Sequence, residues 1–235
     1  MLTEYELNKL KKSFLFKNAS ENEIRQFARS YDCSIVEFDR NDCVITREEI
    51  SKRIGIVLDG TVGIYSDSFY GGHTLIGLGG QHYLFGFIAI FYNNHNYSHD
   101  HCTIAFFDIP PGLSSVEFIR STPPQILSNI YEMLTIHIRD DFDRQQIINS
   151  KSVKVKLARY MIYSSKNAGS MQFDIKMNRT ELSNFLGAYR TTLSRELSRM
   201  EREGLIRTEG SLITILDYRK LLDIEMTSYY GAEDI

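Results

Sequence analysis

Six side chains between positions 189 and 199 carry the most specific chemistry in this chain: Tyr189, Arg190, Thr191, Ser194, Arg195 and Arg199. A guanidinium group offers a planar fork of donors that matches phosphate oxygens and the acceptor edge of guanine, and hydroxyls add shorter donors beside it. All six fall mainly off a stripe of Leu193, Leu197 and Met200, which recur at i, i+4 and i+7 and so share one buried helix face. Taken alone, such a segment is equally an amphipathic helical hairpin with a solvated polar side.

The flanking residues favour a reader of duplex DNA. Asn178 and Glu181 stand at capping-box spacing, and Leu182, Phe185 and Leu186 form the apolar side of the helix they open. Gly187 follows where a sharp helix-to-helix turn needs positive φ, and a second helix runs from about Arg190 to Glu203 before Gly204 ends it. LIRTEGSLITIL then reads as two β runs around Glu209-Gly210, a hairpin. Helix, turn, helix and β-wing in this order predict a winged helix-turn-helix over 150–235.

Charge is distributed accordingly. The net charge is −3, yet Lys151 to Leu222 holds 14 Lys and Arg against 7 Asp and Glu, while residues 1–150 hold 13 against 19. That asymmetry puts the phosphate-binding surface in the C-terminal third.

A second cluster, NNHNYSHDHC, contains His95, His99, His101 and Cys102. On a strand, His99 and His101 would share a face at a spacing that can hold one metal ion, with His137 and Asp141, one helical turn apart, completing four ligands. Two solvated histidines on a polar loop edge are the preferred reading over metal or haem ligation, and no cofactor is assigned. Cys33, Cys43 and Cys102 form no CxxC pair, which leaves neither a disulfide framework nor a four-cysteine metal site supported and favours reduced thiols.

The rest of the chain must position these groups. Residues 3–30 look helical. From Cys33 to about Pro110, the runs SIVEF, CVITR, RIGIVLDG, TVGIYSDS, HTLIGLGG, HYLFGFIAIF and CTIAFFDI alternate with turn signals, which predicts a compact antiparallel roll over 1–123. After Pro123-Pro124, QILSNIYEMLTIHIRDDFDRQQII predicts a long helix over 124–149 whose apolar seam, including Ile130, Leu134 and Ile138, would join two copies; the plainer reading packs it on its own domain. No apolar run approaches the roughly 20 residues needed to cross a bilayer, so a soluble, cytoplasmic protein with no membrane partner is expected.

Roll, long helix and winged helix, in that order, resemble the Crp/Fnr family of bacterial transcription regulators. The resemblance runs from about Leu15 to Ile224 and is anchored by LFKNASENEI, VLDGTVGIY, HYLFGFIAIF and RTELSNFLGAYRTTLSREL. It implies an α+β fold with a cyclic-nucleotide-binding-like antiparallel β-roll, a dimerisation helix and a C-terminal winged helix-turn-helix. It also implies that Arg190 and Arg195 touch DNA, with Ser194 matching the small residue before the second arginine. Thr191 departs from the family's usual Glu, an acceptor for a cytosine amino group, so the operator should differ at that base step.

The resemblance implies less about a ligand. Where cyclic-nucleotide-binding members carry Gly-Glu-x-Gly/Ala and a later Arg-Ser, this chain has Gly86-Phe87-Ile88-Ala89 and Tyr97-Ser98. Loss of the carboxylate and the guanidinium argues against cAMP or cGMP, because a buried phosphate would lack a paired cation. The N-terminal cysteine cluster of the iron–sulfur branch is also missing. A halogenated aromatic or other small organic effector stays open, in a pocket drawn from Phe85, Gly86, Phe87, Tyr97, Ser98, His137 and Asp141, with Phe91 and Tyr92 nearby in sequence; core packing explains the aromatic residues equally well.

The expected function is therefore a homodimeric regulator that binds palindromic double-stranded DNA under control of an unidentified effector, with RNA polymerase as a further candidate partner. An effector-independent DNA-binding dimer is the alternative. A cupin-like metalloenzyme is disfavoured: Asn93 stands where its motif wants glycine, and TIAFFDI supplies no metal-ligating Glu or His.

Overall fold

The computed structural model describes residues 2–46, 48–67, 73–86 and 95–226, and the chain divides into two compact units between Ile138 and Arg139.

The first unit opens with α1 (Glu4–Lys11), a 3-10 turn at Phe14–Phe16 and α2 (Glu21–Ser30). Eight strands follow among the described residues: β1 (Cys33–Phe38), β2 (Cys43–Ile45), β3 (Arg53–Asp59), β4 (Val62–Asp67), β5 (His73–Gly79), β6 (Leu84–Gly86), β7 (His95–Ser98) and β8 (Cys102–Asp108). Then come α3 (Ser115–Ser121) and α4 (Pro124–Ile148), whose first residue is a proline, the imino acid best suited to a helix's first turn. Capping boxes open α1, α2 and α3, pairing Thr3 with Glu6, Ser20 with Glu23 and Ser114 with Glu117.

The strands form two four-stranded antiparallel sheets, ordered β1-β8-β3-β6 and β2-β7-β4-β5. Val44, Ile45, Val57, Val62, Phe85, Cys102, Ile104 and Phe106 fill one core of the roll. On alternate residues of β8, Ala105 and Phe107 join the other core with Leu7, Phe16, Phe27, Phe118 and Ile126 from the helical elements. Strand β8 is thus buried on both faces, which explains why it reads as the nearly unbroken apolar run CTIAFF. The ring of Phe107 meets those of Phe27 and Phe16 edge-on at 5.1 and 5.8 Å. Truncating it to Ala would cost about 3–5 kcal/mol in lost contact and cavity.

Strand β7 lies in a segment whose polar sequence reads as loop; of the run HYLFGFIAIF, Leu84–Gly86 is strand and the part from position 87 lies outside the described residues. Ile130 is 3% exposed and belongs to the unit's own core, with Leu134 packed partly against it. A side chain so enclosed cannot offer its surface to a second copy. On α4 the exposed apolar side chains are Tyr131, Ile138 and Phe142.

The second unit contains the end of α4, α5 (Val153–Ala168), β9 (Gln172–Asp174), α6 (Arg179–Phe185), α7 (Arg190–Arg202), β10 (Ile206–Glu209), β11 (Leu212–Ile215) and α8 (Tyr218–Met226). Its antiparallel sheet is ordered β10-β11-β9. Leu157, Leu182, Leu186, Leu193, Met200, Ile213 and Leu221 are fully buried. Arg159 of α5, itself buried, donates to the Gln146 carbonyl at 2.8 Å and the Ser150 hydroxyl at 2.9 Å, and its Nε lies 3.6 Å from Glu225 of α8. The guanidinium thereby satisfies acceptors near the C-terminal end of α4 and faces a carboxylate on the last helix. Among the described residues, no helix is long and apolar enough to cross a membrane.

Candidate nucleic-acid interface

The reader is assembled around Gly187. Asn178 caps α6 through its side chain, which accepts the N–H groups of Thr180 and Glu181 at 2.9 and 3.0 Å, while the Glu181 carboxylate accepts the Asn178 N–H at 2.8 Å. At the other end Gly187 lies at φ +57, the Gly187 N–H donates to Asn184 O at 3.0 Å and the Ala188 N–H to Ser183 O at 2.9 Å. These two bonds are a Schellman closure, and a residue with a Cβ would be strained at position 187. Tyr189 then starts α7 without any side-chain hydrogen bond to its first turn, leaving that turn's N–H groups, the positive end of the helix, without a capping side chain.

The expected interface residues lie close together on α7. Leu193, Leu197 and Met200 turn inward, at 3% exposure or less. Tyr189 is 84% exposed, Arg190, Thr191 and Arg195 are exposed, and Ser194 is half-buried. Neither Arg190 nor Arg195 has a hydrogen-bonding or ionic partner among the described residues. Arg199 differs. Its Nε donates to Glu203 at 2.8 Å, and Glu203 also takes Lys154 Nζ of α5 at 2.9 Å. Those two bonds hold the Glu203 carboxyl below its ordinary range, Lys154 first and Arg199 second. Arg199 thus belongs to an ionic bridge between α7 and α5.

Three polar groups that position the reader were absent from the expected set. Glu201, in the last turn of α7, binds Thr208 of β10; Lys154 binds Glu203; and Lys156 donates to Leu186 O and Gly187 O at 2.9 and 3.0 Å. Glu201 and Thr208 lie seven residues apart across a helix-to-strand turn, a spacing outside the periodic patterns of either element. Lys154 and Lys156 look in sequence like ordinary members of a basic run.

The expected ligand and metal residues have these surroundings among the described residues. Phe85 is 2% exposed, stacked on Tyr83 and edge-on to Phe106, so it fills the roll. Gly86 has φ +100, and a Cβ there would run into the carbonyl oxygen of Arg53 on the adjoining strand. Phe87, Phe91 and Tyr92 lie outside the described residues. Tyr97 packs edge-on against Tyr65 at 5.4 Å, and the Ser98 hydroxyl is directed at the carbonyl oxygens of Asp39 and Asp42. His137 rests its ring on Tyr83, with centroids 4.7 Å apart, and Asp141 lies one turn further along α4.

His99 and His101 do not lie on a strand: they occupy the bend between β7 and β8, where their strand alternation is lost. His101 Nδ1 is 3.3 Å from Asp39, and among the described residues no three His, Cys, Asp or Glu side chains are grouped to hold a metal ion. Burial raises the thiols of Cys33 to about 12 and Cys102 to about 11, while Cys43 is exposed.

A family model for a Crp-like helix-turn-helix domain matches residues 155–224, from α5 to α8. The chain is similar to the transcriptional activator protein FnrA of Stutzerimonas stutzeri, 29% identical over 99 residues that cover 40% of this chain and 41% of FnrA. It is also similar to the transcriptional activator protein anr of Pseudomonas aeruginosa, 28% identical over 115 residues, 47% of this chain and 45% of that one. The matched stretch thus spans less than half the length of either relative. In fold, it superposes on a CooA variant from Carboxydothermus hydrogenoformans with a TM-score of 0.72 at 15% identity, covering 96% of this chain and 98% of that one.

Proposed function

We propose that this chain is a Crp/Fnr-type regulator, a homodimeric DNA-binding protein whose two α7 helices enter successive major grooves of a palindromic operator, a reading supported by the Crp-like helix-turn-helix match and the FnrA and anr relatives. The observation that carries this reading is the start of α7, where exposed Tyr189, Arg190, Thr191 and Arg195 stand opposite the buried Leu193–Leu197–Met200 stripe. Free guanidinium forks on a rigid helix can read guanine, and the surplus of Lys and Arg from Lys151 to Leu222 supplies phosphate contacts. The exposed apolar residues of α4, Tyr131, Ile138 and Phe142, are the surface on which two copies join. The protein works in the cytoplasm, with RNA polymerase as a further partner.

The roll senses a ligand other than a cyclic nucleotide. Tyr97 stands where cyclic-nucleotide-binding members carry the guanidinium that pairs the phosphate, and the Ser98 hydroxyl is directed to backbone carbonyls. Ligand binding would favour one arrangement of the paired readers only through a difference in affinity for the two arrangements. The enclosure of Phe85 in the roll favours a second reading, in which the roll takes no effector and serves as scaffold.

Selection of the full chain against a random duplex pool tests the proposal. Enrichment of an inverted repeat with half-sites about 10–10.5 bp apart supports it. Binding with the same affinity to every duplex would refute it.

A further inference from the structure

At the α6–α7 turn, beyond its Schellman bonds, the carbonyl groups of Leu186 and Gly187 both accept from the same lysine. Lys156 Nζ of α5 lies 2.9 Å from Leu186 O and 3.0 Å from Gly187 O. The carbonyls form the negative end of α6, where a cation is favoured, and charge-assisted bonds to them are stronger than neutral ones. Two residues later the chain reaches Tyr189 and the first turn of α7, the part that presents Arg190 and Arg195.

We infer that Lys156 is a positioning residue for DNA recognition: it touches no base or phosphate, and instead fixes the turn from which the reading helix departs. The inference rests on the DNA-binding reading above and deepens it. Three features support it. Leu186 is fully buried, which anchors one end of the turn, whereas α7 has no side-chain cap to fix its start. The ammonium is part-buried, and that burial lowers its pKa by desolvation, which places the group against protein instead of bulk water. Finally, a Cβ built on Gly187 would lie 3.7 Å from Lys156 Nζ and 3.6 Å from Ile148 Cγ2, so α5, the end of α4 and the turn meet at one point.

The test compares the wild-type full chain with K156M, which keeps the alkyl stem but loses the donors, and with K156R, which keeps a cationic donor. Two measurements are made: amide hydrogen exchange in the free protein, and binding to the selected duplex and a scrambled one across a salt series. In K156M, exchange at Gly187 and Ala188, whose N–H groups close the turn, should rise by about tenfold or more while the α5 core amides of Leu157 and Met161 stay protected, and K156R should restore protection. Affinity for the selected duplex should fall about tenfold, the scrambled duplex should be little affected, and the salt slope should stay unchanged.

Unchanged exchange at the turn in K156M would overturn the inference. So would an equal loss on both duplexes with the salt slope smaller by about one, the signature of a direct phosphate contact. If the wild-type chain binds neither duplex, the DNA-binding reading fails, and with it the recognition role of Lys156; the exchange data still decide whether it fixes the turn.

Discussion

Glu201 in the last turn of α7 accepts two bonds from Thr208 of β10, one from the backbone N–H at 2.8 Å and one from the hydroxyl at 3.0 Å. A single carboxylate therefore ties the reading helix to the wing. The Thr208 N–H, then its hydroxyl, hold the Glu201 carboxyl below its ordinary 4.5, with the Arg179 charge adding to the effect. A depressed carboxyl pKa means a contribution present above the unfolded value and lost as pH falls through the folded one. Wing protection should hold above pH 4.5 and decline below it, and E201A should raise amide exchange at Thr208 even at neutral pH. Protection at Thr208 that is indifferent to both changes would show the tie to be unimportant.

Arg195 and Arg199 should behave differently although both sit on α7. R195A should cost about 1–3 kcal/mol of binding and relax preference at one base if its guanidinium takes guanine. R199A removes one partner of Glu203 while Lys154 remains. It should leave base preference intact. Selected motifs from the two variants that broaden at the same position would contradict this division.

Replacing Thr191 by Glu should shift preference towards cytosine at a single base step, because a carboxylate accepts from the exposed amino group. Thr191 is exposed one residue into α7, so no repacking should accompany the change. An unaltered motif in a selection experiment would place Thr191 away from the bases.

The α4 contact is best tested at Ile138, which is 66% exposed. I138E should yield monomers by analytical ultracentrifugation with little change in melting temperature. A comparable change at Ile130 would be uninformative, because that side chain belongs to the core and a charge there would destabilise the fold itself. A dimer of undiminished stability in I138E would move the interface elsewhere.

Acid should weaken the first unit in a narrow range. The carboxyls of Glu6 and Glu49 are lowered chiefly by the backbone N–H groups of Thr3 and Thr46, and those of Glu23 and Glu117 chiefly by the hydroxyls of Ser20 and Ser114. Each contribution is complete above 4.5 and fades as pH drops through the lowered folded values. The melting temperature should be insensitive to these groups above that point and decline beneath it. An S20A/S114A variant should show a shallower decline; a slope equal to wild type would assign the acid lability to other groups.

The helix-turn-helix was legible because its determinants are local: a cap, an i, i+4, i+7 stripe and a glycine at fixed offsets. Much of the roll was legible for the same reason, since turn residues interrupt its apolar runs. Less could be read where distant segments meet. The α4 pattern has apolar residues on more than one side, and spacing alone does not say which side faces the protein's own core; that is settled by contacts such as the Asn129 amide donating to Leu15 O and Lys17 O, more than 100 residues away. Strand β7 was hidden because HNYS has no apolar alternation, and its pairing with β4 and β2 supplies the order. Lys156 was hidden because a lysine directed at carbonyls and one directed at solvent look identical in a basic segment.

Gly86 pairs with Ile54 at a point where the backbone of Arg53 leaves no room for a Cβ. The glycine that the family resemblance associates with ligand recognition is thus independently required by the pairing of two neighbouring strands. A lineage could exchange the chemistry at positions 87 and 97, and with it the signal it answers to, while this residue stayed frozen in place. The demand for glycine at position 86 comes from the backbone beside it and would hold whatever ligand, if any, the roll takes.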